Sequence, residues 1–284
     1  MAMSNPGPAP RPPRPPRPQH VLEVLGSERI APSLVRVHLG WPGFATFSPN
    51  EHTDAYVKLI FVKPELGLQP PYDLTELRRS LPPDDIPVTR TYTVREVRSD
   101  SISLDFVVHG AVGLAGPWAE NVQVGEQIAL TGPGGAYAPD ISADWHLFVG
   151  DESALPAIAR AIESLPADAR GIAILEVRDA TEQLDIPAPA DVELRWLHRG
   201  APREETVGLL AEAVAALEFP EGRVHAFVHG ERESMKAMRD ELFARRGLER
   251  AQVSLSGYWA QGRTEDRFQA EKREPIGVVL PPER

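Results

Sequence analysis

The sequence predicts two domains, an N-terminal antiparallel β-barrel followed by an α/β domain with a parallel sheet, on three observations. A length of 284 residues leaves room for two cores. Short apolar runs of strand length, rich in β-branched residues and separated by Pro, Gly, Asn and Asp clusters, fill the chain after His20. Beyond the cluster Gly132-Pro133-Gly134-Gly135 and Pro139, strand-like and helix-like runs alternate, the pattern of a parallel sheet with helices on both faces.

Residues 1–18 alternate Pro with Arg11, Arg14 and Arg17, a composition that buries no core, and read as a disordered Pro/Arg-rich tail. The barrel domain is placed at 19–138, with strands at Val21 to Leu25, Leu34 to Leu39, Ala55 to Val62, Tyr92 to Val97 and Ile102 to Val108. About six strands at this spacing suit a small closed barrel, with Gly110, Gly113, Gly116 and Gly125 marking loops. Pro64 to Pro87 is an insertion with a turn or two of helix near Leu74 to Arg79. The α/β domain is placed at 139–262. Its strands are Trp145 to Val149, Gly171 to Val177, Val192 to Trp196, Val224 to Val228 and Val253 to Leu255, and its helices Ala154 to Leu165, Glu204 to Leu217 and Met235 to Arg246. Residues 263–284, charged and then Pro-ended, read as a C-terminal surface segment.

Composition excludes several chemistries. The absence of cysteine removes disulfides, thiolate zinc sites, iron–sulfur clusters and dithiol motifs, so redox work requires an organic cofactor. A formal charge of −11, with three Arg and no acid in the first twenty residues, makes the body acidic and unsuited to nucleic acid. With no apolar run of about 18 residues and no apolar segment near the N-terminus, neither membrane insertion nor secretion is expected, and the location reads as cytoplasmic.

Arg90-Thr91-Tyr92-Thr93-Val94-Arg95 stands out among the strands. Alternation puts Arg90, Tyr92 and Val94 on one face, with a cation and an aromatic ring about 7 Å apart along the strand, suited to a phosphate and a planar ring. An ordinary edge strand with one exposed Arg accounts for the same six residues. Gly150-Asp151-Glu152-Ser153 and His229-Gly230-Glu231 fall at the carboxyl ends of strands, where open α/β sheets bind ligands. Asp151 and Ser153 also suit plain N-capping. No Gly-x-Gly-x-x-Gly follows a strand, so an ordinary dinucleotide fingerprint is missing. His225 and His229 lie on a strand-like run that separates them by about 13 Å, too far for one metal ion, and no metal site is assigned.

The order of these parts resembles the ferredoxin-reductase superfamily, and more narrowly the siderophore-interacting protein family of flavin-dependent ferric-siderophore reductases. The resemblance covers roughly residues 20 to 262 and rests on six stretches: Arg90 through Arg95; Val108-His109-Gly110 with Gly116-Pro117-Trp118-Ala119; Gly132 to Gly135; Val149 through Ala157; His229-Gly230-Glu231; and Gly257-Tyr258-Trp259 with Gly262. It implies that Arg90 contacts the FAD pyrophosphate, Tyr92 lies on the isoalloxazine and Thr93 offers a hydrogen bond to it. It further implies His109, Gly110, Gly113, Gly116, Trp118, Asp151 and Ser153 as cofactor contacts, although Gly113-Leu114-Ala115-Gly116 lacks the hydroxyl the family tends to carry. Lys58, Tyr258 and Arg263 are assigned to the ferric siderophore, with the charge after Tyr258-Trp259 displaced to Arg263. Arg95 receives no role. The expected activity is FAD-dependent reduction of Fe(III)-chelate to Fe(II), with electrons from NAD(P)H or a ferredoxin. A general flavin reductase or diaphorase, or a non-catalytic flavin- or siderophore-binding module, remains as an alternative.

Overall fold

The computed structural model describes residues 18–110, 113–200 and 206–280. Strands β1 (Gln19–Ala31), β2 (Leu34–Pro42), β3 (Tyr56–Phe61), β4 (Val88–Val97), β5 (Ser101–Val107) and β6 (Gln127–Gly134) close into a barrel in the order β1-β2-β5-β4-β3-β6. Alternation builds its interior: Leu22 and Val24, Val35, Val37 and Leu39, Val57 and Leu59 point inward and are buried. The Gly132 to Gly135 cluster ends β6 rather than forming a free linker. A Cβ at Gly134 would come within 2.4 Å of the far end of the Tyr56 ring, so a larger residue there displaces that ring. The insertion carries helix α1 (Leu74–Ser80), capped by the Asp73 carboxylate on the Thr75 and Glu76 amides.

Helix α2 (Ala115–Asn121) is absent from the sequence reading, because Gly116 and Pro117 are ordinarily helix breakers. Both stand in its first turn, where a missing N–H costs nothing.

The second domain has strands β7 (Trp145–Gly150), β8 (Arg170–Val177), β9 (Asp191–His198), β10 (Val224–Glu231) and β11 (Val253–Trp259), all parallel, in the order β11-β10-β7-β8-β9. Helices α3 (Leu155–Glu163), α4 (Leu209–Ala215) and α5 (Arg232–Arg239) accompany them, α5 continuing into a π-type turn over Asp240–Arg245. The expected helix from Glu204 begins later; positions 204 and 205 lie outside the described residues. Two apolar layers cover the sheet, and the α3 layer also takes in Ile30, Ala31, Leu34 and Val107 of the barrel, so the domains share a core.

After residue 262 the chain forms a further helix, α6 (Glu265–Glu271), with Phe268 and Glu271 buried, so this stretch is only partly surface. None of the described helices is long and apolar enough to cross a membrane.

The strand order reverses between β7 and β10, whose carboxyl ends pair through Gly150 and His229. Gly150 has no room there: a Cβ would meet the His229 carbonyl at 2.7 Å and the Ala154 methyl at 2.7 Å. Gly150→Ala is therefore expected to destabilise the fold by about 1–3 kcal/mol. Urea denaturation measures this, and an unchanged midpoint contradicts it.

Candidate functional site

Strand β4 supplies most of the cleft. Its register with β3 sets Thr93 opposite Tyr56, Tyr92 opposite Val57, Thr91 opposite Lys58 and Arg90 opposite Leu59. Tyr92 therefore shares the inward face, where its ring lies 4.1 Å from that of Phe106, and Phe106 continues to Trp118 and Phe61. Burial pushes the Tyr92 phenol up, Glu265 adds to the rise, and Arg90 opposes it. Lys58 and Thr91 share the outer face, Nζ donating to the Thr91 hydroxyl at 3.1 Å. Thr93, also outward, is buried against the second domain.

The Thr93 hydroxyl lies beside that of Tyr258 on β11. Burial drives the Tyr258 phenol strongly up, with Asp54 and Asp151 reinforcing and Thr93 opposing. The edge of Tyr258 meets the His229 ring at 4.9 Å, and His229 stacks on Phe227 at 3.8 Å. His229 pairs through Nε2 with the Ser254 hydroxyl at 2.9 Å, while its Nδ1 is buried without a hydrogen-bond partner among the described residues. Burial pushes this imidazole down to about 3, so it is neutral across the physiological range.

At the rim, Arg90 donates to the Thr89 carbonyl at 2.9 Å and forks onto the Asp266 carboxylate of α6 at 3.1 and 3.0 Å. The segment carrying Asp266 is anchored on the sheet domain through Glu271, which takes Arg232 at 2.6 Å, Arg267 at 2.7 Å and Arg263 at 2.8 Å. These guanidinium groups, Arg232 foremost, hold the Glu271 carboxyl down to about 2. On the far side of β4, Arg95 forks onto Glu163 of α3 at 2.8 and 2.5 Å, and Arg160 donates to the Val94 carbonyl at 2.7 Å.

Arg90 and Tyr92 thus share the inner face of the β3–β4 pair, Lys58 and Thr93 the outer, and of these it is Thr93 that meets Tyr258 of the second domain. Others are placed differently. Trp118 lies in the barrel core, where its ring fills space between Phe61 and Phe106. The Asp151 carboxylate faces inward and staples three strand ends, accepting from Ser153 N at 3.0 Å and Ser153 Oγ at 2.5 Å, Glu231 N at 2.9 Å and Trp259 Nε1 at 2.9 Å. Neither Asp151 nor Ser153 caps α3, whose N-cap is Ala154. Arg263 rests on Glu271. His109, Gly110 and Gly113 sit exposed after β5, with positions 111–112 outside the described residues. Asp266, Arg95 and Arg160 are the groups to which sequence reasoning gave no role, because their partners lie on distant elements.

The residues present fit an FAD. Arg90 keeps its Nε–H unpaired among the described residues, beside an aromatic ring and two hydroxyl groups. Gly110 and Gly113 take φ values of 61° and 88°, in the left-handed region that favours glycine. The first turn of α2 beyond them carries no side-chain cap.

A closed barrel joined to a parallel sheet, matched by an FAD-binding family pattern, marks a two-domain flavin-dependent oxidoreductase. The comparisons agree: the family pattern described as "Siderophore-interacting FAD-binding domain" matches residues 23–137, and "Siderophore-interacting protein" matches residues 143–262. Ferric vibriobactin reductase ViuB of Vibrio cholerae is 35% identical over 257 residues, 89% of this chain and 93% of the relative. An NADPH-dependent ferric-chelate reductase of Escherichia coli is 28% identical over 84% of this chain and 91% of the relative. The crystal structure of a siderophore utilization protein from T. fusca superposes with a TM-score of 0.75 at 36% identity, covering 88% of this chain and 95% of that one. The chain belongs to the siderophore-interacting protein family.

His229 gives the site a pH signature. Its folded value of about 3 lies below the unfolded 6.5, so as pH falls the unfolded chain takes up a proton first. Its contribution is intact above about 6.5 and is lost progressively toward about 3. His146, pushed down to about 4 by burial, acts over the same window. His229→Phe is expected to reduce the pH slope of stability there by up to about 1.4 kcal/mol per pH unit. Urea midpoints at about pH 7 and about pH 4.5 read this, and parallel losses in both proteins contradict it.

Proposed function

We propose that this protein reduces ferric iron held by an anionic organic chelate, with FAD seated between barrel and sheet and NADPH as the electron donor. The observation that carries the reading is the run of Arg90, Tyr92 and Thr93 along one strand, with Lys58 paired opposite Thr91 and the Thr93 hydroxyl beside that of Tyr258 from the other domain. Bound FAD supplies the conversion of a two-electron input to single-electron output. Reduction lowers the charge on iron, and hard oxygen donors then hold it less tightly.

In this reading the Arg90 guanidinium holds cofactor phosphate through a planar N–H edge, a geometry lysine lacks. Tyr92 and Phe106 form an apolar wall that excludes water. The Thr93 and Tyr258 hydroxyls orient the polar edge of the flavin, Tyr258 staying protonated. Lys58, on the outer face, draws the anionic chelate toward the cleft. The carboxyl ends of β7 and β10 take the donor nucleotide, and the NADPH-dependent relative supports that choice over ferredoxin. Arg263, tied to Glu271, adds little free charge; this favours the second reading, a reductase of general acceptors.

An anaerobic titration tests the function. Purified protein is expected to bind FAD, bleach on NADPH and recover its flavin spectrum on addition of a ferric chelate; protein that takes up no FAD contradicts the reading. Faster turnover with quinones than with ferric chelates would favour the second reading. Lys58→Met should raise KM for a ferric catecholate chelate about fivefold or more, an effect that shrinks as salt rises. Steady-state kinetics at low and high salt check this, and an unchanged KM contradicts it.

A further inference from the structure

The contact between Arg90 and Asp266 joins the phosphate-holding residue of the proposed cofactor site to a carboxylate of this same chain. The pair is bidentate, at 3.1 and 3.0 Å, and uses both terminal nitrogens of the guanidinium. A carboxylate in this geometry stands where two phosphate oxygens would stand. Glu265 brings a second negative charge close enough to raise the Tyr92 phenol. The dinucleotide phosphates thus approach an arginine that is already neutralised and flanked by like charge.

The two partners differ in freedom. The Arg90 side chain is 17% exposed and keeps its bond to the Thr89 carbonyl, whereas that of Asp266 is 63% exposed. Behind Asp266 the segment is well held: Phe268 is buried, Glu271 takes three arginines, Lys236 Nζ donates to the Ile276 carbonyl at 2.7 Å, and Arg239 donates to the Val279 carbonyl at 3.0 Å. Asp266 can turn into water while the rest of α6 stays docked.

We propose that Asp266 is an affinity-setting residue of the phosphate subsite: it occupies Arg90 in the absence of FAD and must give up the guanidinium when the FAD phosphates bind. It weakens cofactor binding in return for a link between α6 and the barrel. The proposal rests on the FAD reading given above. An opposite role, in which Asp266 positions Arg90 for the phosphate, predicts the opposite sign and would overturn it.

Flavin-fluorescence quenching of apoprotein measures the affinities, with riboflavin as the probe that lacks phosphate. Asp266→Asn is expected to bind FAD about three- to tenfold more tightly than wild type at low salt, with the gap closing near 0.5 M salt. Riboflavin should bind both proteins alike, and in an Arg90→Met background the Asp266→Asn change should leave FAD affinity unaltered. Weaker or equal FAD binding by Asp266→Asn overturns the proposal, as does equal tightening toward riboflavin. If wild type and both variants keep their circular dichroism yet none binds FAD, the cofactor reading fails and the proposal with it. Wild-type binding without the difference overturns the proposal alone.

Discussion

Between Val94 and Glu96 the pairing of β4 with β5 slips by one residue, leaving Arg95 outside the regular ladder. Such a bulge re-aims a side chain that would otherwise follow the pleat. Here Arg95 reaches Glu163 of α3, and the carbonyl of the residue before it accepts from Arg160 of the same helix. Half a strand earlier, Thr93 meets Tyr258 and Arg90 meets Asp266. One strand of the barrel therefore carries both the cleft residues and the contacts that fix the sheet domain over them. A shift of that docking by an ångström moves Thr93 relative to Tyr258 and Arg90 relative to Asp266, and their geometry becomes a consequence of the domain junction.

The charges of the junction are arranged in a graded way. Deep inside, Asp151 accepts from two amides, a hydroxyl and an indole, so its negative charge ties three strand ends together without facing the cleft. Glu271 does the same for the C-terminal segment with three arginines. Nearer the surface, Arg90 and Lys58 keep weaker partners, a half-exposed carboxylate and a hydroxyl. Buried charge-assisted contacts of the first kind are costly to break, whereas an exposed ion pair such as Arg90–Asp266 is worth about a kcal/mol or less and exchanges readily with a ligand. That contrast separates scaffold from binding surface on physical grounds.

Much of this was legible in the sequence, and the exceptions have common causes. Short β-branched apolar runs bounded by turn residues revealed most barrel strands, whereas the Arg90 hexapeptide fits an ordinary edge strand equally well and gains its reading from its place in the chain. Helix α2 was missed because Gly116 and Pro117 look like breakers when their place in a first turn is unknown. The C-terminal stretch read as surface because Glu271, Arg263 and Arg267 look solvated until they are seen to neutralise one another around a buried point. Asp151 had the spacing of a cap, and one oxygen does accept from Ser153, but the other turns toward strands that follow it by some eighty and more residues. The Asp151 and Glu271 misses involve partners distant in the chain, Glu231, Trp259 and Arg232, which local pattern does not encode.

The dependence of the site on docking is most directly measured with a charge swap across the bulge, Arg95→Glu with Glu163→Arg, followed by stopped-flow reduction of bound FAD by NADPH. Each single variant places like charges together and is expected to slow reduction by about tenfold or more, while the double variant restores most of the rate. Single variants that reduce flavin as fast as wild type, or a double variant no faster than either, would contradict the account.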